Sequence, residues 1–276
     1  MLGRIAIDLT KDGNHIRRLD TTLRLAKKHE AEVVGVYPRP EPTEYLRGNN
    51  LMPPEVSKMV SSQLAEERTE MHELFKKRTQ EAGVKATWRE PQGFAEEVLA
   101  IHARYCDLLV MSQSEKQTAS MRSSPTETVI TTAGRPILMV PFIGEMNPVG
   151  KRILFCWDRG RRAARALADA GPILQQAKDL IVLTIDENRE LAKKQDLHDE
   201  DFNAYCATRG YPQPKFIRQI SDHTSIGTLI LNDATDQGCD MVVMGAYNRS
   251  RTREWVLGGT SRTLLDSMTV PILFSH

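Results

Sequence analysis

Short apolar runs alternate with longer polar or amphipathic stretches along the whole 276-residue chain. The apolar runs are rich in Val, Ile and Leu and lack polar alternation, which is typical of strands buried on both faces of a parallel sheet. In the first half the pattern predicts strands at 4–9, 32–37, 84–89, 108–112 and 137–140, and helices near 13–29, 54–81, 94–103 and 126–133. In the second half it predicts strands at 152–157, 180–185, 215–218, 241–245 and 272–274. Because strand–helix–strand connections are right-handed and helices must cover both faces, this order predicts an α/β fold with a doubly wound parallel sheet of about five strands per half.

The second half of the chain repeats the first. Three segments match in the same order, namely 4–10 with 152–158, 106–111 with 239–244, and 136–138 with 271–273. A repeat of this length is one ordinary domain rather than a solenoid unit. We therefore expect one domain at 1–143 and a homologous one at 150–276, joined by a short turn-rich stretch.

Composition excludes several classes of partner. The formal net charge is +1, so no global field attracts the chain to nucleic acid or to an anionic membrane. No apolar run approaches the roughly 20 residues that span a bilayer. Four cysteines occur without a CxxC pair, which argues against a disulfide or zinc framework and favours a reducing cytoplasm.

A glycine-bearing segment follows the fourth predicted strand of the second half and precedes a helix. It begins at Gly245 and runs to Ser261. A strand, a glycine-containing loop and a helix start are the parts from which proteins build anion sites, because backbone N–H groups and the helix dipole face the ligand. If the first and fourth strands of this doubly wound sheet lie side by side at the topological switch point, the segment lies close to Asp158, which follows the first strand.

These residues resemble a known family. Gly245, position 248, Gly258 and the hydroxyl-bearing positions after it fall on the G-x2-G-x9-G-[S/T] signature of universal stress proteins. The chain resembles the tandem, two-domain bacterial members over essentially its whole length. The resemblance implies two consecutive domains of the adenine nucleotide alpha hydrolase-like fold. In this family the fifth strands pair edge to edge across a dimer axis, so the resemblance implies that the runs 136–141 and 271–276 could pair inside one chain as a pseudo-dimer, which would cover their hydrophobic edges.

The resemblance also implies a ligand, since family members with an intact signature bind ATP or a related adenine nucleotide. By position, an acid at Asp158 would lie near the adenosine, the backbone around Ile185 would line the adenine slot, and the loop would hold the phosphates, with Mg²⁺ accompanying ATP. From charge alone, Arg249, Arg251, Arg253 and Arg262 would offset the phosphates. The expected binding residues are Asp158, Ile185, Gly245, Asn248, Arg249, Gly258, Gly259, Thr260 and Ser261.

Two departures from the signature leave an alternative open. Asn248 replaces the second glycine, and Gly259 stands where the signature has Ser or Thr. The first half departs further, because its loop at 112–124 has no glycine and Thr10 occupies the acid position, so we expect no ATP binding there.

Two functions follow, and neither is enzymatic. The first is a cytoplasmic nucleotide-binding sensor or regulator of stress response, with ATP or AMP in the C-terminal domain. The second is a ligand-independent interaction module with a decayed site, acting through assembly, including a homodimer. P-loop, HExxH and GxSxG motifs are absent from the sequence, so catalysis would at most be weak ATP hydrolysis.

Overall fold

The computed structural model describes residues 1–39, 54–113, 125–144, 148–187, 191, 194–246 and 259–276. Strands and helices alternate along them. In the first half they are β1 (Arg4–Asp8), α1 (His15–His29), β2 (Glu32–Val36), α2 (Pro54–Ala82), β3 (Ala86–Arg89), α3 (Ala95–Ala103), β4 (Leu108–Ser112), α4 (Pro125–Thr132) and β5 (Ile137–Val140). In the second half they are β6 (Arg152–Cys156), α5 (Arg161–Asp169), α6 (Gly171–Leu174), β7 (Asp179–Ile185), α7 (Asp199–Arg209), β8 (Pro214–Gln219), α8 (Ile226–Asp236), β9 (Met241–Gly245), α9 (Gly259–Ser267) and β10 (Ile272–Ser275).

All ten strands belong to one sheet, in the order β3-β2-β1-β4-β5-β10-β9-β6-β7-β8. Within each half every neighbouring pair is parallel, as for β1 with β4 and β6 with β9. The exception is the central pair, where β5 and β10 run antiparallel with Leu138 opposite Leu273. The doubly wound parallel fold is confirmed, and the two predicted five-stranded sheets join through their last strands as expected.

Apolar layers cover both faces of the sheet, which explains why the strands lack polar alternation. In β1, Ile5 and Ile7 pack into the cluster on one face, and Ala6 packs into the cluster on the other. In β6, Phe155 packs into the first of these clusters and Leu154 packs into the second. These strand side chains are fully buried.

The repeated Cys-Asp dipeptide has a structural role in both halves. Asp107, before β4, accepts backbone N–H groups of Gly3 and Arg4 at 2.7 and 3.0 Å. Asp240, before β9, accepts those of residues 150–152 at 2.8–3.1 Å. Each carboxylate thus satisfies the N–H groups at the start of the neighbouring first strand, which fixes the register of the two central strands of its half.

Strand β3 begins two residues later than predicted. Gly83 adopts a left-handed φ of 67°, and the Val84 N–H still donates to the Thr79 carbonyl at 3.1 Å. Val84 therefore completes the C-terminal turn of α2, although its side chain suits a strand. Among the described residues, every helix is too short or too polar to cross a bilayer.

Candidate functional site

The second half contains a crevice at the carboxyl ends of β6 and β9. The chain runs from β6 outward to β7 and β8, then returns to place β9 on the opposite side of β6. The connections that leave β6 and β9 therefore diverge, which is the arrangement where open α/β sheets hold ligands. A cavity of about 260 Å³ lies there. Its wall is formed by Cys156, Trp157, Asp158, Arg162, Ala163, Leu183, Ile185, Asp186, Ile226, Ile230, Met244, Gly245, Thr260 and Ser261.

The structure brings five of the predicted site residues together in this wall. They are Asp158, Ile185, Gly245, Thr260 and Ser261. Gly259 begins α9 but is not part of the wall. The remaining predicted residues, Asn248, Arg249 and Gly258, lie outside the described residues, as do Arg251 and Arg253.

Asp158 organises the turn between β6 and α5. Its Oδ1 accepts the backbone N–H of Gly160 at 2.7 Å. A Cβ at Gly160 would lie 2.8 Å from that same oxygen, so a larger residue there would shift the Asp158 carboxylate. Arg159, between them, adopts a left-handed φ of 60°. The turn holds an exposed carboxylate at the mouth of the cavity, and a carboxylate accepts several hydrogen bonds at once, so the Gly160 bond is compatible with one to a ribose hydroxyl.

Gly245 is required for close packing rather than for a left-handed backbone. Its φ is not positive. A Cβ there would lie 2.7 Å from the carbonyl carbon of Arg162 and 2.8 Å from the nitrogen of Ala163. The first turn of α5 thus rests directly on the end of β9, which closes one side of the cavity.

The start of α9 forms the opposite side. Ser261 is buried, and Thr260 beside it also faces the cavity. Both lie in the first turn of the helix, where backbone N–H groups have no partner within the helix and the dipole favours an anion.

Arg162 supplies a positive charge that the sequence reasoning missed. It lies in the cavity wall, and burial lowers the pKa of its guanidinium from the usual value, although an arginine remains protonated in a protein. In the sequence, Arg162 stands out only by its position four residues after Asp158. That position indicates a place in the cavity wall only when it is known that α5 packs on β9. Arg262, which was expected near the phosphates, instead lies 3.8 Å from Glu127 of the first half.

The remaining walls suit a flat apolar group. Ile185, Ile226, Ile230 and Met244 provide aliphatic surface. The α8 residues among them were also missed, because their spacing indicates an ordinary core-facing helix. Burial raises the pKa of the Cys156 thiol far above its usual range, so this thiol stays protonated and is a poor nucleophile.

In the first half, Arg18 bridges the ends of β1 and β4. This side chain is fully buried. Its Nε donates to the Asp8 carbonyl at 2.5 Å, and its Nη2 donates to the Thr10 carbonyl at 2.6 Å. Its Nη1 donates to Asp12 Oδ2 at 2.8 Å and to Ser112 Oγ at 2.7 Å. The guanidinium therefore joins the ends of β1 and β4, where the second half has its crevice.

Within the described residues, no group of three or more His, Cys, Asp and Glu side chains could hold a metal ion. The cavity wall also lacks a nucleophile in contact with a base, since its two carboxylates accept backbone N–H groups. Asp186, the second of them, accepts that of Ser221 at 2.9 Å, which lowers the pKa of its carboxyl group.

Comparison with known proteins identifies the repeat. The model of the universal stress protein family matches residues 5–141 and again residues 150–276. No curated protein sequence matches the chain.

Solved structures share the whole fold at low identity. A universal stress protein from Archaeoglobus fulgidus has a TM-score of 0.74 at 15% identity, covering 99% of this chain and 97% of that one. A functionally unknown protein from Pseudomonas aeruginosa has a TM-score of 0.59 at 15% identity, covering 99% and 92%. The cytoplasmic domain of a prokaryotic cation chloride cotransporter has a TM-score of 0.54 at 11% identity, covering 99% and 95%. The same two-domain fold thus occurs in proteins of different kinds, and function must be argued from the site.

Proposed function

This chain belongs to the universal stress protein family, and on that premise we propose that its C-terminal half binds an adenine nucleotide, ATP or AMP, as a regulatory ligand. The observation that carries the proposal is the cavity between β6 and β9, which has Asp158 on one side and the first turn of α9 on the other. We place this function in the cytoplasm, as a sensor or regulator in stress response rather than an enzyme.

The chemistry of the wall fits the three parts of a nucleotide. The aliphatic side chains of Ile185, Ile226 and Met244 can enclose the flat base. The Asp158 carboxylate can accept hydrogen bonds from ribose hydroxyls. The α9 N-terminus and Arg162 can receive the phosphates, and Mg²⁺ would enter with ATP on those phosphates.

Calorimetric titration of the full chain with ATP and with AMP tests the proposal. Asp158→Ala should weaken binding by roughly 10- to 100-fold, because a hydrogen bond to a charged group contributes on the order of 1.5–3 kcal/mol. Thr10→Ala, at the matching position of the first half, is the control and should leave affinity unchanged. A thermal shift provides a second readout, since ligand at 100 times its Kd adds roughly 2.7 kcal/mol of stability. No heat and no shift at millimolar nucleotide would contradict the proposal.

A second candidate is an interaction module that needs no ligand. It is favoured by the antiparallel pairing of β5 with β10, which joins the halves within one chain. Under this proposal the chain assembles further, as a homodimer, whether or not nucleotide is present. Native mass spectrometry over a range of protein concentrations separates the two candidates. A nucleotide-bound monomer supports the sensor, and a nucleotide-free dimer supports the module.

A further inference from the structure

A second cavity in the C-terminal half lies beside α5 and α7 and has a volume of about 340 Å³. Its wall is formed by Trp157, Arg159, Ala164, Leu167, Thr184, Glu187, Leu197, His198, Asp199, Asp201, Phe202, Tyr205 and Phe216. Only Trp157 is shared with the β6–β9 cavity. The proposed nucleotide site therefore leaves this cavity without a role.

Aromatic rings dominate the wall. The Phe202 ring meets Trp157 edge to face with centroids 5.3 Å apart, and it meets Phe216 in the same way at 5.8 Å. The rings thus hold one another at fixed angles and present both faces and edges to the cavity. Leu197, at the rim, is 45% exposed, so apolar surface continues to the mouth.

The charged side chains of the wall are paired with one another or with the backbone. Arg159 bonds Glu187 at 2.7 Å. Arg218, next to the wall, bonds both Glu187 at 2.8 Å and Asp199 at 2.5 Å. Asp201 accepts the backbone N–H of His198 at 2.8 Å. A negatively charged ligand would have to displace a carboxylate from Arg159 or Arg218, or enter beside these carboxylates without a counter-ion, and both are costly.

From these observations we propose that the aromatic cavity binds a neutral, flat aromatic molecule of about two fused rings. The volume lies within the roughly 300–1,000 Å³ of small-molecule sites. It is also about twice that of an engineered apolar cavity of roughly 150 Å³ that takes up benzene. The ligand packs against the contacting rings of Trp157, Phe202 and Phe216 from the cavity side, and the ion pairs of Arg159 and Arg218 stay intact at the rim.

The test is titration of the full chain with a fluorinated naphthol, followed by fluorine NMR without nucleotide, so that the result is independent of the proposed nucleotide site. We expect the fluorine signal of the naphthol to change in a saturable way. In the proton NMR spectrum of the protein we expect a shift of the Trp157 indole N–H resonance, which is assigned by its loss in Trp157→Phe. Fluorinated naphthoate, of the same shape but charged, should bind at least about tenfold more weakly.

Two substitutions on α5 form a matched pair. Ala164 and Ala168 are both exposed, and only Ala164 lies in the wall. Ala164→Phe should fill the cavity and weaken naphthol binding roughly tenfold or more. Ala168→Phe has the same cost in helix propensity and should leave naphthol affinity unchanged. Leu197→Gln, at the exposed rim, provides a second variant that does not depend on filling the cavity and should weaken binding about threefold.

Several results would overturn the proposal. They are the absence of saturable naphthol binding, equal affinity for naphthol and naphthoate, and equal loss of affinity in the two phenylalanine variants. Unchanged naphthol affinity in a folded Ala164→Phe would do so as well.

Discussion

The two halves share a fold but differ in the buried helix side chain behind the end of their first strand. Counting without a gap from the matched arginines Arg4 and Arg152, Arg18 on α1 corresponds to Ala166 on α5. Both positions are fully buried, yet one holds a guanidinium with four acceptors and the other a methyl group. A buried guanidinium thus bridges the ends of β1 and β4, while the matching position on α5 holds a methyl group and the ends of β6 and β9 border a cavity. The comparison teaches that one fold can join these two strand ends with a single side chain from its own helix.

The sequence predicted the halves well because burial on two faces leaves a clear pattern. The strands follow from the apolar runs, and the proximity of Asp158 to Gly245 follows from doubly wound topology once the first and fourth strands are neighbours. The β5–β10 pairing follows from the family resemblance. The role of Arg18 did not, since a lone arginine in a helix is usually exposed. A comparison of the two repeats could nonetheless have pointed to Arg18, because the matching position in the second half is Ala166.

Other site features depend on tertiary packing and could not be predicted from local sequence. The glycine at Gly245 is needed because α5 approaches β9 to van der Waals contact, which no sequence spacing reveals. Arg162 faces the cavity for the same reason. Arg262 was assigned to phosphate from charge alone, but the β5–β10 pairing brings the halves together and places it near Glu127 instead.

The strongest way to break the comparison is to remove Arg18. Arg18→Ala leaves a cavity and deprives the Asp8 and Thr10 carbonyls of their donors, so we expect a loss of roughly 4 kcal/mol in unfolding free energy. Arg17→Ala is the control, because among the described residues that half-buried side chain bonds the carbonyls of Ile143 and Gly144 alone and its loss should cost about 1 kcal/mol or less. Urea denaturation of both variants measures the difference, and similar losses would contradict the special role of Arg18.

A smaller effect is expected where the second half packs α5 on β9. Gly245→Ala places a Cβ within 2.7–2.8 Å of the α5 backbone and should cost about 2–3 kcal/mol. Gly259→Ala provides the matched control for stability, since a Cβ there meets nothing within 4 Å. Thermal unfolding should therefore show a clear drop for the first variant and almost none for the second. A tolerated Gly245→Ala would mean that α5 does not rest on β9 as described.

Acid should destabilise the first half through His29. This residue is buried, and burial lowers its pKa from 6.5 to about 4. The unfolded chain therefore binds the proton first as pH falls, so stability is lost between about pH 6.5 and pH 4. From pH 7 to pH 5 the loss at this site is about 2 kcal/mol. Urea denaturation at both pH values should show this loss in the parent protein and a correspondingly smaller one in His29→Leu, whereas equal losses would exclude His29 as the cause.

Hydrogen exchange with and without ATP tests the central claim most directly, because it examines both crevices in one experiment. We predict that saturating ATP protects backbone amides at 153–163 and 259–267, around the β6–β9 cavity, and leaves 4–22 and 108–113 unchanged around Arg18. Protection of the first-half segments, or no protection in either half at millimolar ATP, would contradict the account.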